Sequence, residues 1–232
     1  HFPFCRARCA YCDFNTYAGL DHLVLPYVRA LIAEDGYLRQ HFVGPLETIY
    51  LGGGTPSVVP ARHIEAVLSA CRYEFGLHPG AEISVEANPG SLTRPWLESV
   101  RAHGVNRLSL GVQSLHDDEL TLLGRLHRRA DVAVAVADAR AAGFDNISLD
   151  LIFGLPGQSL DAWRVTLEGA LALSPEHLSL YALTLEDGTP LADRVHRGEL
   201  PAPDPDLAAD MYDLAADLLG GYGFRQYEIS NW

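Results

Sequence analysis

Three of the four cysteines stand within eight residues, as Cys5-Arg-Ala-Arg-Cys9-Ala-Tyr-Cys12, a C-x3-C-x2-C spacing. Small secreted chains use even cysteine counts for disulfides, but crowding of this kind in a large chain favours a metal. A tight loop can present several thiolates to neighbouring irons of a cubane cluster, which takes four ligands. Three cysteines leave one iron open to an exogenous ligand. The competing chemistry is structural zinc, which wants a closed set of four ligands, often in paired C-x2-C knuckles or with histidines nearby. No second pair exists in this chain, although His1 could be a fourth ligand. The spacing favours the cluster and leaves zinc open.

Other chemically useful residues follow apolar runs. Gly52, Gly53 and Gly54 come directly after Glu47–Leu51. Without Cβ atoms their backbone can approach a ligand closely, although a lone triple glycine would be only a turn. Glu86, Gln113 and Asp150 stand near the ends of three further runs. A charged Asp150 would be costly to bury without partners, which points to a ligand or a nearby cation such as Arg125. The guanidinium fork of Arg125 suits a carboxylate. Taken singly, Gln113 or Arg125 is better read as a structural hydrogen bond or part of a solvated face. Cys71 falls on the apolar side of a predicted helix and reads as a small hydrophobe.

These residues need a scaffold, and the chain reads as strands alternating with helices. Strands are predicted at Glu47–Leu51, Glu82–Ala87, Arg107–Gly111, Ile147–Phe153 and His177–Leu183, and Gln226–Ile229 starts a last one. Helices are predicted over 22–42, 60–75, 94–103, 130–142, 159–173 and 206–219. Residues 187–205, rich in Pro and Gly, read as a long loop. Repeated βα units imply parallel strands with right-handed crossovers. About six units are too few for a closed eight-fold barrel. The fold class is therefore α/β: a partial, TIM-like (β/α)6 barrel, with a parallel sheet and outer helices. Sites in such folds form where strands end, and that is where the notable residues lie.

The chain has 232 residues, 48% of them hydrophobic and 20% charged, ordinary values for one large domain. Its formal net charge of −13, from 17 basic and 30 acidic residues, argues against a nucleic-acid partner. The densest basic cluster is Arg125-Leu126-His127-Arg128-Arg129. No apolar stretch approaches the roughly 20 residues of a membrane span, and no signal peptide is visible.

Taken together, these segments resemble the radical SAM family that contains oxygen-independent coproporphyrinogen oxidase (HemN) and the haem chaperone HemW. The matching stretches include Cys9-Ala-Tyr-Cys12-Asp-Phe-Asn, Leu51-Gly-Gly-Gly-Thr-Pro-Ser57, Ser84-Val-Glu86-Ala-Asn-Pro89, Leu108-Ser-Leu-Gly-Val-Gln-Ser114, Gly124-Arg125-Leu-His127, Leu149-Asp-Leu-Ile-Phe-Gly-Leu-Pro-Gly-Gln158 and Gln226-Tyr-Glu-Ile-Ser-Asn231. They span nearly the whole chain in the family's order. The resemblance implies a [4Fe–4S] cluster on Cys5, Cys9 and Cys12, with S-adenosylmethionine (SAM) on the open iron. It also implies a SAM pocket built from Tyr11, Gly53, Gly54, Thr55, Glu86, Gln113, Arg125, Asp150 and Ala182. Tyr11 would stack near the adenine, although alone it could equally be core packing. Ala182 would give a backbone contact.

Within the family, HemN carries a fourth cysteine two residues after the third, where this chain has Phe14. The Cys-Asp-Phe form and the Gly-Arg-Leu-His segment look like HemW. The resemblance thus implies a HemW-type chaperone that binds haem and delivers it to haem-receiving proteins, with coproporphyrinogen oxidase second. A reductant such as flavodoxin or ferredoxin is implied as a partner, and haem as a ligand of the full-length protein. Residues 1–232 are expected to be one radical SAM barrel domain cut from a longer protein, lacking its first strand start and a C-terminal HemW-type domain. The expected location is cytoplasmic, with membrane association in the full-length protein. Two readings from other classes are a zinc-binding interaction module and a radical SAM enzyme acting on tRNA; the acidic balance weighs against the second.

Overall fold

The computed structural model describes residues 1–42 and 44–232. Five parallel strands lie in sequence order: β3 (Leu46–Leu51), β4 (Leu77–Ala87), β5 (Arg107–Gln113), β6 (Ile147–Phe153) and β7 (His177–Ala182). They curl into a half-barrel. Two short strands, β1 (Phe4–Cys5) and β2 (Tyr17–Ala18), pair in parallel at the entrance and flank the cysteine loop. Among the described residues eight helices accompany them: α1 (Val24–Leu38), α2 (Ala61–Phe75), α3 (Arg94–Ala102), α4 (Asp117–Leu122), α5 (Arg129–Ala141), α6 (Leu160–Leu171), α7 (Pro190–His196) and α8 (Pro205–Gly221).

Parallel sheets usually read as continuous apolar runs because both faces are covered. Here the strands alternate. Val85, Leu108, Leu110, Leu149, Leu151, Leu178 and Leu180 are at most 1% exposed, as expected for the face under the helices. The register places Glu86 beside Ser109, Gly111 beside Asp150, and Asp150 beside Ser179 on the other face. The half-barrel therefore has an apolar outside, packed by helices, and a polar inside. Trp163 of α6 anchors the packed side: it is fully buried and its indole N–H donates to the Met211 carbonyl of α8 at 2.8 Å.

Side chains fix where several helices begin. Thr93, Ser159, Thr189 and Asp204 each accept a backbone N–H of the first turn that has no intrahelical partner. Thr189 starts α7 inside the segment expected to be a loop. Pro190 follows at the first helical position, where its missing N–H costs nothing. Short α4 was likewise unexpected. The helix expected over 22–42 ends at Leu38 and continues as a 3₁₀ turn to His41.

The expected last strand at Gln226–Ile229 is not formed. The Glu228 carboxylate accepts the Ser230 N–H at 2.6 Å and curls the segment into a turn. The chain then returns antiparallel along β7, where Trp232 and Leu178 exchange both N–H···O bonds at 3.0 Å. The sixth position of the half-barrel is thus an antiparallel bridge at its edge.

Candidate functional site

The cysteine loop is held from two sides. On one, the entry segment runs beside the glycine turn after β3: Phe2 N–H donates to Gly52 O at 2.8 Å, Gly54 N–H to Phe2 O at 2.7 Å and Thr55 N–H to Phe4 O at 2.8 Å. A Cβ on Gly54 would lie 2.8 Å from both the Phe2 and Phe4 carbonyl oxygens. Gly53 has φ +118°, a conformation that favours glycine. These glycines therefore admit the protein's own backbone. On the other side, Ala10 N–H donates to Leu123 O at 2.9 Å, and Leu191 N–H of α7 donates to Ala10 O at 2.8 Å.

So held, Cys5, Cys9 and Cys12 open on one cleft of about 550 Å³, which includes the upper part of the polar half-barrel interior. Tyr11, Gly53, Gly54, Thr55, Glu86, Gln113, Arg125, Asp150 and Ala182 line the same cleft. All the residues expected from the sequence are thus brought to one place. None of the four cysteines is joined in a disulfide. Burial raises the Cys5 thiol, while a hydrogen bond from the Thr55 hydroxyl at 3.5 Å pulls the other way. The Arg125 guanidinium donates to Cys9 Sγ at 3.4 Å.

The pocket side chains differ in how they are held. Glu86 is fixed by the Tyr50 hydroxyl at 2.5 Å and by the Gly53 N–H at 2.9 Å. Asp150 accepts from the Ser109 hydroxyl at 3.0 and 3.1 Å. Burial pushes its carboxyl up to about 6, with the Glu86 charge adding to the shift and Ser109, Ser179 and Arg107 opposing it. Arg125 makes no ion pair with Asp150. It turns instead to Cys9, Asn88 and the Gly111 carbonyl, and the cation acting on Asp150 is Arg107.

Gln113 sits in the left-handed region at φ +68°, where β5 slips register against β6. Such a conformation is uncommon outside glycine and clusters at functional sites. Tyr11 lies on the cleft wall and also packs with Leu123, Ile152, Leu155 and Leu191.

Sequence reading missed Tyr50, Asn88, Arg107, Ser109, His177, Ser179 and Tyr181, which also line the cleft. For Arg107 and Ser109 on β5 and for His177, Ser179 and Tyr181 on β7 the signal was their place at every second position, faint within runs rich in apolar residues; Tyr50 on β3 and Asn88 after β4 had no such signal. The basic cluster at 125–129 is not a surface patch. Arg125 turns into the cleft wall, and His127 is buried with Nε2 on the Val112 carbonyl at 3.1 Å and its pKa pushed down to about 4, mainly by burial. Cys71 is buried in α2, its thiol beside the Asp35 carboxylate and pushed up to about 12 by burial.

The donor set fits an iron–sulfur cluster. Thiolate ligands are commonly tuned by donors to sulfur, and two of the three sulfurs already have one. The buried Thr16 hydroxyl, also on the cleft wall, faces the Cys5 thiol and has no other hydrogen-bond partner among the described residues. No three His, Cys, Asp or Glu side chains among the described residues converge on a single ion position.

A family model for the radical SAM superfamily matches residues 1–170. Over its whole length the chain is 44% identical to mouse radical S-adenosyl methionine domain-containing protein 1, mitochondrial, and spans 53% of that protein. It is 43% identical to the heme chaperone HemW of Mycobacterium tuberculosis, spanning 60% of it. The solved structure of coproporphyrinogen III oxidase (HemN) from Escherichia coli, a radical SAM enzyme, matches with a TM-score of 0.90 at 27% identity, over all of this chain and 54% of that one. The three-cysteine loop, the half-barrel and the sequence match agree: the chain belongs to the radical SAM superfamily.

Proposed function

We propose that this chain is the radical SAM barrel of a HemW-type haem chaperone, binding a [4Fe–4S] cluster through Cys5, Cys9 and Cys12 and SAM in the adjoining cleft. The observation that carries the reading is 43% identity to HemW across the whole chain, against 27% to the structurally similar HemN. Phe14, at the cleft wall where HemN has its further cysteine, supports it. When bound, a three-thiolate cluster offers SAM one open iron and an electron for breaking its sulfonium bond.

The chain's own residues prepare the pocket for a cation. Glu86 and Asp150 bring two carboxylates to one wall, suited to the ammonium, ribose hydroxyls and sulfonium charge of SAM. Arg125 supplies a fixed cation on the side of the cysteines. Tyr11 closes the cleft with an aromatic face. Haem, haem-receiving proteins and a flavodoxin- or ferredoxin-like reductant belong to the full-length protein in this proposal. No helix among the described residues is long and apolar enough to cross a membrane. Cytoplasmic work beside membranes where haem proteins are assembled is part of the same proposal.

The test is anaerobic incubation of the full-length protein with SAM and either haem or coproporphyrinogen. Stoichiometric haem binding without decarboxylation is the expected result. Production of protoporphyrinogen would replace the chaperone with the oxidase.

A further inference from the structure

We propose that Asn88 is a positioning residue for the metal centre: it relays the Arg125 guanidinium to Thr55, so that one cation governs hydrogen bonds to two of the three cysteine sulfurs. The inference rests on the reading that those cysteines carry the cluster.

The chemistry of each partner fixes the direction of each hydrogen. Arginine has only donors, so Asn88 must face the Arg125 guanidinium with its carbonyl oxygen, Oδ1. That settles the amide orientation. Nδ2 then points away, 3.0 Å from Thr55 Oγ1, and because Nδ2 only donates, the Thr55 oxygen accepts. The single hydroxyl proton of Thr55 is left for Cys5 Sγ at 3.5 Å. The same guanidinium reaches Cys9 Sγ directly at 3.4 Å. Cys5 and Cys9 thus lie at the two ends of one oriented chain: Cys9, Arg125, Asn88, Thr55, Cys5.

The surroundings hold this chain in place. The Asn88 backbone N–H donates to Ser57 Oγ at 3.3 Å, and Ser57 is tied to Ser91 at 2.5 Å. Arg125 is anchored a third time on the Gly111 carbonyl at 2.5 Å. A Cβ on Gly111 would lie 2.9 Å from Asn88 Oδ1 and 3.2 Å from the Arg125 guanidinium. The strand carries glycine where the Arg125–Asn88 contact crosses it.

Donors to sulfur stabilise added negative charge, so they raise the reduction potential of an iron–sulfur cluster. Interrupting the relay should lower it. The experiment uses full-length protein reconstituted without oxygen, with iron and sulfide counted first. A redox titration in the absence of SAM is then followed by absorbance and electron paramagnetic resonance.

Thr55→Val and Asn88→Ala are each expected to shift the oxidised-to-reduced ratio at fixed ambient potential about tenfold toward oxidised, about 59 mV for a one-electron couple. The double variant should shift no further than the larger single one, because both act on the same bond. Thr55→Ser should match the wild type. Unchanged potentials at full iron content, or shifts that add in the double variant, would overturn the relay. Should Asn88→Ala fail to hold a cluster, Thr55→Val against Thr55→Ser decides alone. A wild-type protein that takes up no iron and sulfide would instead defeat the cluster reading beneath it.

Discussion

Asp150→Asn isolates what the cleft costs the fold. The native carboxyl is pushed from an ordinary 3.8 up to about 6 by burial, with Glu86 adding to the shift. An acid whose pKa is higher folded than unfolded binds more protons in the native state. Its contribution to stability is complete below about pH 4 and is lost as the pH rises through about 6. Two units correspond to about 3 kcal/mol at most. Because Asp150 opens on the cleft and water reaches it, roughly 1–2 kcal/mol is the realistic share.

Asparagine keeps the size and an acceptor for the Ser109 hydroxyl but cannot ionise. The variant should therefore be more stable than the parent at neutral pH by that amount. Below about pH 4, where Asp150 is protonated, the two should converge. Urea unfolding of the cluster-free chain, followed by circular dichroism at several pH values between about 4 and 7.5, gives the comparison. If parent and variant show parallel pH profiles, or the variant is weaker at neutral pH, Asp150 does not carry the buried, unpaired charge assigned to it.

Three further outcomes are expected. Cys9→Ala should abolish the brown cluster absorbance and the iron content of anaerobically reconstituted protein; retained absorbance would show that Cys9 is not a ligand. Arg125→Ala should weaken SAM binding at least tenfold by calorimetry, because a charged hydrogen-bonding partner is worth about 1.5–3 kcal/mol, and an unchanged affinity would remove Arg125 from the pocket. Gly54→Ala should lower stability by about 1–3 kcal/mol, since the new methyl collides with two backbone carbonyls and the entry segment must move. A thermal midpoint equal to the parent's would mean that the segment is not pinned as described.

The strands could be read from residue types alone because each is a run such as Ile147–Phe153 in which apolar residues dominate. The same runs hid the lumen. Ser109, Arg107 and His177 look like incidental polar residues until the register shows them sharing one face with Glu86 and Asp150. Helix α7 was obscured by the Pro- and Gly-rich composition around it, although Thr189-Pro190 is a helix-start signal in its own right. The last segment failed as a strand because Glu228 satisfies nearby backbone locally, a contact that β-propensity does not register. Arg125 was correctly sent to the cleft but given the wrong partner. Charge complementarity suggested Asp150, whereas the turn after α4 aims the guanidinium at Cys9 and Asn88.

The anchoring of Ala10 has a consequence for the order of assembly. The cysteine loop precedes in the chain the backbone groups that brace it, which belong to Leu123 and Leu191. Most of the half-barrel must be synthesised before both braces exist. Because chains emerge vectorially and fold by units, the three thiols spend much of synthesis unbraced and open to oxidation. A cluster held by this loop would gain both braces only once Leu191 has been synthesised.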